Sequence, residues 1–100
     1  MLHKTQERFT NGIAPVEVIS ADTGGARRYG VELYWDGGWT GTITVEAPRG
    51  GVVHSVSVSA QGFAAFSGWA DWPQLRVVAA QTGGVSSKVI ADVYLIGLEE

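Results

Sequence analysis

The sequence predicts an all-β protein: an antiparallel β-sandwich of the jelly-roll or immunoglobulin-like kind, with about seven to eight short strands and an extended N-terminal arm. Three observations predict it. Short runs of alternating apolar residues recur at a spacing of roughly ten residues. Each run is bounded by Gly, Pro, Asp or Ser, and Gly-Gly pairs stand at 24–25, 37–38, 50–51 and 83–84. No stretch keeps a helical apolar period for three turns, which leaves no substantial helix. A parallel sheet would need continuous apolar strands joined by crossover helices, and neither is present.

The elements follow in order. Residues 1–12, MLHKTQERFTNG, are polar, with Leu2 and Phe9 as apolar anchors. Such a segment cannot bury enough surface to order itself alone. It is expected either as a frayed terminus or as an arm that crosses onto a neighbouring subunit, outside a sandwich domain spanning 13–100. It also lacks the apolar core of a signal peptide or a membrane span. Residues 15–20 form a first strand, ending at Asp22-Thr23-Gly24-Gly25. Residues 29–35 and 40–46 read as the two arms of a β-hairpin, with Asp36-Gly37-Gly38 supplying the positive-φ positions of the connection. Pro48-Arg49-Gly50-Gly51 makes the next turn before a strand at 52–60. A short strand at 63–66 leads to a loop at 68–73 that carries Trp69 and Trp72. Strands at 74–80 and 88–96 complete the chain, separated by a turn at Thr82-Gly83-Gly84.

The two-residue period assigns faces. Tyr29, Val31, Leu33 and Trp35 share one face, opposite Glu32 and Tyr34. Ile43 and Val45 oppose Thr40, Thr42, Thr44 and Glu46. Val52, His54, Val56 and Val58 point inward, with Ser55, Ser57 and Ser59 outward. Leu75, Val77 and Ala79 oppose Gln74, Arg76 and Val78. Val89, Ala91, Val93 and Leu95 oppose Lys88, Asp92 and Tyr94. Each long strand therefore has one buryable face and one polar or mixed face, as two sheets packed face to face require.

Composition narrows the function. One hundred residues make a single domain. The chain has no cysteine, which excludes disulfides, thiolate metal sites and a thiol nucleophile. A net charge of −3 with only 7 Lys and Arg argues against a nucleic-acid groove. Arg27-Arg28 is the sole basic pair, and two adjacent charges read first as a solvated turn. Charged residues are only 17% of a chain that carries four tryptophans, which suggests that a neighbour covers part of its surface.

The sequence carries no recognisable pattern of reaction chemistry. His3 lies in the arm, where no catalytic geometry can be held. His54 sits on an apolar strand face and reads as a partly buried, hydrogen-bonded side chain. Ser55, Ser57 and Ser59 alternate on one face, and none occupies a G-x-S-x-G elbow. Asp22, Asp36 and Asp71 fall in loops without the clustering that calcium ligation needs. No Gly-Gly pair is followed by the helix or Lys-Ser/Thr of a phosphate loop. No catalytic residue, cofactor or metal is expected, and the chain is not expected to be an enzyme. Trp35, Trp39, Trp69 and Trp72 flank loops and admit three roles: core plugs with indole N–H groups bonded to loop carbonyls, protein contacts, or platforms for sugar rings. Trp35, in phase with Val31 and Leu33, reads as core, and Trp39 as a residue for an interface.

One stretch carries a family resemblance. Gly38-Trp39-Thr40-Gly41-Thr42-Ile43-Thr44-Val45-Glu46 resembles the G-T-[VI]-T-[VL] strand of small β-sandwich domains in tailed-phage virion proteins. The order of the second half is similar as well: Gln74-Leu75-Arg76-Val77-Val78, then Gly83-Gly84-Val85, then a final alternating strand at 89–96. The resemblance spans residues 29–97. It departs where the family has a D-G-G-x-W turn, since this chain has Ala47-Pro48-Arg49-Gly50-Gly51-Val52 and lacks that aromatic. The resemblance implies a structural module of the capsid decoration (cement), head–tail or tail accessory type. It implies a homo-oligomer, with a trimer favoured, that binds the major capsid protein or other virion proteins on the capsid surface after synthesis in the host cytoplasm. Neither nucleic acid nor membrane is an expected partner. A carbohydrate-binding or adhesion module using the loop tryptophans, with a glycan as partner, is the alternative. Candidate assembly contacts are Leu2, Phe9, Arg27, Arg28, Trp39, Trp69 and Trp72.

Overall fold

The computed structural model describes residues 2–47, 49 and 51–97; Met1, residues 98–100, and Pro48 and Gly50 of the expected turn lie outside that range. Among the described residues there is no helix. Eight strands form in chain order: β1 (Leu2–Phe9), β2 (Val16–Asp22), β3 (Arg28–Trp35), β4 (Trp39–Ala47), β5 (Gly51–Val58), β6 (Gly62–Trp69), β7 (Gln74–Gly84) and β8 (Lys88–Ile96). They pair antiparallel in two four-stranded sheets, ordered β1-β8-β3-β6 and β2-β7-β4-β5. Successive strands alternate between the sheets except at β4–β5, which is the jelly-roll arrangement.

The strand faces are those that alternation dictates. Tyr29, Val31, Leu33 and Trp35 of β3 and Val89, Ala91, Val93 and Leu95 of β8 enter the core from one sheet. Ile43 and Val45 of β4 and Leu75, Val77 and Ala79 of β7 meet them from the other. In β2 the register shifts between Glu17 and Ile19, and this bulge lets consecutive residues, Val18 and Ile19, both be buried.

The expected hairpin at Asp36-Gly37-Gly38 is corrected. β3 and β4 lie in different sheets, so the three residues form an arch across the end of the sandwich. Gly38 adopts φ +93°, as a tight connection requires, but the local hydrogen bonds run elsewhere. Asp36 N–H donates to the Lys88 carbonyl at 3.0 Å, and Val85 N–H donates to the Gly38 carbonyl at 2.9 Å. Both arms carry an apolar face, and facing strands of opposite sheets bury both at once. Positive-φ turn residues signal a reversal without specifying which sheet receives the next strand.

Two smaller expectations also change. A bulge opposite Val45–Glu46 makes Val53 the extra residue of β5, so Val52 faces solvent while Val53 packs on the core. Thr82-Gly83-Gly84 is not a turn but the end of β7, paired with Trp39 and Thr40.

Within the segment expected as an arm, residues 1–12, Leu2–Phe9 runs along β8 as an edge strand, from Leu2 opposite Leu95 to Phe9 opposite Lys88. All eight of its side chains are exposed, so backbone pairing rather than core burial holds it. The chain then enters the body at Thr10, which is buried. Thr10 N–H donates to the Ser87 carbonyl at 2.8 Å, and its hydroxyl oxygen accepts from Ser87 N–H at 2.9 Å and donates to Gln81 at 2.6 Å.

His54 points inward at the β5 edge, where β5 and β6 close the two sheets against each other. Its Nε2 is 2.8 Å from the Tyr29 hydroxyl, and its ring stacks on Phe66 with centroids 4.5 Å apart. Burial pushes the His54 pKa below its ordinary value. The unfolded chain then takes up a proton at higher pH than the folded one. Stability is therefore expected to fall as the pH drops below about 6.5 and to level off once the folded form is protonated. In urea titrations at a series of pH values, His54→Gln should flatten this dependence. An unchanged slope would place its origin in other groups.

Candidate functional site

The outer face of the β1-β8-β3-β6 sheet forms the site. Strand register arranges its side chains in rows. Ile96, Arg28 and Trp69 make one row across β8, β3 and β6; His3, Tyr94, Gly30 and Ser67 make the next. Thr5, Asp92, Glu32 and Ala65 follow, and then Glu7, Ile90, Tyr34 and Phe63. The centre is acidic, and aromatic and apolar groups stand on either side of it.

Each row has its own internal contacts. The Arg28 guanidinium lies over the Trp69 ring, 5.2 Å from its centroid. His3 stacks flat on Tyr94, with centroids 4.4 Å apart and planes 5° from parallel, while its Nε2 meets Asp92 at 2.8 Å. Tyr34 and Phe63 tilt against each other at 4.8 Å. Glu32 and Asp92 are directly opposite across β3 and β8, where two carboxylates repel. Their neighbours offset this: His3 binds Asp92, and hydrogen bonding to Glu32 raises the Tyr94 pKa, with burial and the charges of Glu32, Asp92 and Tyr34 adding to it.

Much of this apolar surface is open. Tyr34 is 50% exposed, Phe63 51%, Trp69 64% and Ile96 45%. Between them, Gly30 and Ala65 leave a shallow trough walled by Glu32, Tyr94 and Ile96. The opposite sheet differs in kind. Its outer face carries Thr42, Thr44, Ser55 and Ser57, together with a Glu46–Arg76 ion pair at 2.9 Å. One sheet thus presents an aromatic face and the other a mixed face of small, polar and charged side chains without an aromatic ring.

The sequence-based candidates distribute unevenly over this surface. Arg28 and Trp69 come together at one end of the aromatic face, and Phe9 lies on the same face at the far end, opposite Lys88. Leu2 is exposed on β1 but alternates to the other side, opposite Leu95. Arg27 is exposed in the β2–β3 connection, its N–H bonded to the Ile96 carbonyl at 3.1 Å. Trp72 is half-buried against the core, and its carbonyl accepts from the Thr23 hydroxyl. Trp39 requires correction. It is 2% exposed, with its indole N–H bonded to the Asp36 carbonyl at 2.9 Å, because the arch turns its side chain between the sheets. It has no face to offer a partner. Trp35 plugs the same end, donating to the Ala60 carbonyl at 2.7 Å.

Sequence reasoning passes over His3, Glu32, Tyr34, Phe63, Asp92 and Tyr94 as members of a site. A signal exists: Tyr34 and Tyr94 fall out of phase with the apolar faces of their strands, which points both outward without joining them into one surface. Among the described residues, no three His, Cys, Asp or Glu side chains gather as a metal site would need.

Fold and surface define an eight-stranded jelly-roll β-sandwich with one aromatic, partly acidic face. No protein-family model matches this sequence, and no curated protein sequence matches it. Solved structures share the fold. The pilus protein of Bacillus endospore appendages, described as a novel family of disulfide-linked pili, is similar at a TM-score of 0.59 and 11% identity, over 94% of this chain and 85% of that one. PirA is similar at 0.57 and 21% identity, covering 91% and 92% of the two chains. The SPBc2 prophage-derived protein YomS is similar at 0.50 and 11% identity, covering 93% and 95%. At these identities the likeness is one of fold.

Proposed function

We propose that this chain is a structural assembly subunit that acts through protein–protein contacts, and specifically a phage virion protein of the capsid decoration type. In this role it forms a homo-oligomer, a trimer by preference, seated on the major capsid protein. The carrying observation is the uncovered aromatic face, where Tyr34, Phe63, Trp69 and Ile96 are each about half exposed or more. A neighbour that covers this face removes apolar surface from water, at about 25 cal/mol per Å². Arg28, Glu32 and Asp92 lie among the apolar groups and set register by charge pairing. A cement role also suits modest contacts, because a symmetric lattice repeats each one many times. The family resemblance of the strand at 38–46 supports the virion assignment.

Light scattering over a concentration series tests this reading. The protein is expected to be oligomeric, and the double variant Phe63→Ser/Trp69→Ala is expected to shift toward monomer while its circular dichroism is unchanged. A second reading rests on one observation: Trp69, Tyr94 and the two carboxylates resemble the mix of stacking and hydrogen-bonding groups that sugar rings need. Under that reading the chain is a carbohydrate-binding or adhesion module. A strict monomer whose tryptophan fluorescence is quenched by glycans would overturn the assembly role in its favour. A tail or baseplate accessory role uses the same face, and a particle map separates it from a capsid site.

A further inference from the structure

β1 is built unlike the other strands. It contributes no side chain to the core, whose buried apolar residues begin at Val18. The residues after Thr10, Asn11-Gly12-Ile13-Ala14-Pro15, are all exposed, and Ile13 is almost entirely so. They form a short connection from the edge of one sheet to the edge of the other. A short exposed connection to an edge strand is a hinge, and a proline within it restricts how the chain closes back on its own body.

The seat that β1 occupies is nonetheless specific. His3 meets Asp92 at 2.8 Å, Lys4 Nζ donates to the Ser20 carbonyl at 2.6 Å, and Lys88 pairs with Glu7 at 3.5 Å. Thr10 closes the end of the seat through Ser86, Ser87 and Gln81. These partners lie on β2, β7 and β8 and the connection before β8.

We propose that residues 2–10 are exchanged between copies of this chain, so that β1 of one subunit fills the β8 edge of another. The proposal rests on the assembly reading above and supplies its mode of linkage. A second copy is the occupant because the seat recognises the chemistry of β1 itself. His3, Lys4, Glu7 and Thr10 of a second chain meet the same partners in the same register, so the exchanged form keeps every contact and differs only at the hinge. β1 itself carries no buried side chain, so opening breaks its ladder with β8 and the bonds of Thr10 but withdraws none of the apolar core residues. Transfer around a closed ring gives a discrete oligomer in which each subunit holds the next.

Cysteine pairing tests this directly, because the natural chain has no cysteine to interfere. Glu7 lies opposite Ile90 in the β1–β8 ladder, and directly opposed residues approach to roughly the separation a disulfide spans. The variants Glu7→Cys and Ile90→Cys are purified reduced, mixed, incubated at assembling concentration and then oxidised. Exchange yields a heterodimer in which a disulfide joins position 7 of one chain to position 90 of the other, identified by mass spectrometry of the joined peptides. It should form on the order of a hundredfold faster than linkage between Glu7→Cys and the remote Ser57→Cys, because the ladder supplies a millimolar effective concentration. A chain carrying both substitutions and oxidised beforehand as a monomer should lose its ability to join oligomers. Gln6→Cys with Ala91→Cys provides a second opposed pair if Ile90→Cys does not fold. Oligomers in light scattering without a disulfide between the opposed positions would overturn the exchange and leave the assembly role standing. Monomers throughout, with no linkage, would overturn both.

Discussion

Trp39→Ala is expected to lower the stability of this domain by about 3–5 kcal/mol, the cost of deleting a large buried aromatic side chain. The indole is buried at the arch, joined to the Asp36 carbonyl and packed between the sheets. Its loss leaves a cavity in a close-packed core, whose surrounding residues relax only partly to fill it. The total stability of such a domain is about 5–15 kcal/mol, so this loss is a substantial fraction of the whole. Urea unfolding should show a lower midpoint with an unchanged slope, and the melting temperature should drop by more than about 10 °C. A variant as stable as the natural chain but defective in assembly would restore Trp39 to an interface.

Gly41→Ala is expected to cost about 3 kcal/mol or more by overpacking, from a single added methyl group. Gly41 sits where the β4–β7 register shifts, in the central strand pair of its sheet. A Cβ there would run into the Ala80 carbonyl oxygen and lie 3.0 Å from Gln81 Cα. Both are backbone atoms, so no rotamer change relieves the clash and the ladder itself must move. Ser57→Ala, on the exposed face of neighbouring β5, serves as the control and should change stability by no more than ~0.5 kcal/mol. Thermal melts of the two variants side by side make the comparison. Equal melting temperatures would mean that the bulge adjusts without cost.

Much of the fold is legible in the sequence because burial imposes a period. The inward faces of β3, β4, β7 and β8 follow from alternation alone, and the structure buries them. Sheet membership is less legible. Asp36-Gly37-Gly38 reverses the chain equally well within a sheet or between sheets, and only the completed core selects the arch. Alternation alone points Val52 inward, because one inserted residue at a bulge inverts every assignment beyond it, and bulges leave no compositional mark. β1 is hidden as a strand because its order comes from β8, a partner at the far end of the sequence. The site is half legible. Tyr34 and Tyr94 stand out of phase with their strands, but only the pairing of β3 and β8 in this register makes them neighbours of His3 and Glu32. A one-dimensional pattern shows which side a residue faces and not which residues share that side.

The distance in sequence between β1 and β8 has a consequence for how the molecule is made. His3 and Asp92 meet although they stand 89 positions apart in the chain. At about 5–20 residues per second, a ribosome delivers the partner of β1 roughly 4–18 s after β1 itself emerges. Throughout that interval β1 is a strand without a sheet, in the crowded space around other nascent chains. Its composition suits the wait: LHKTQERF is mostly charged and polar with few apolar groups, so it remains solvated where an apolar strand would associate with whatever edge it met first.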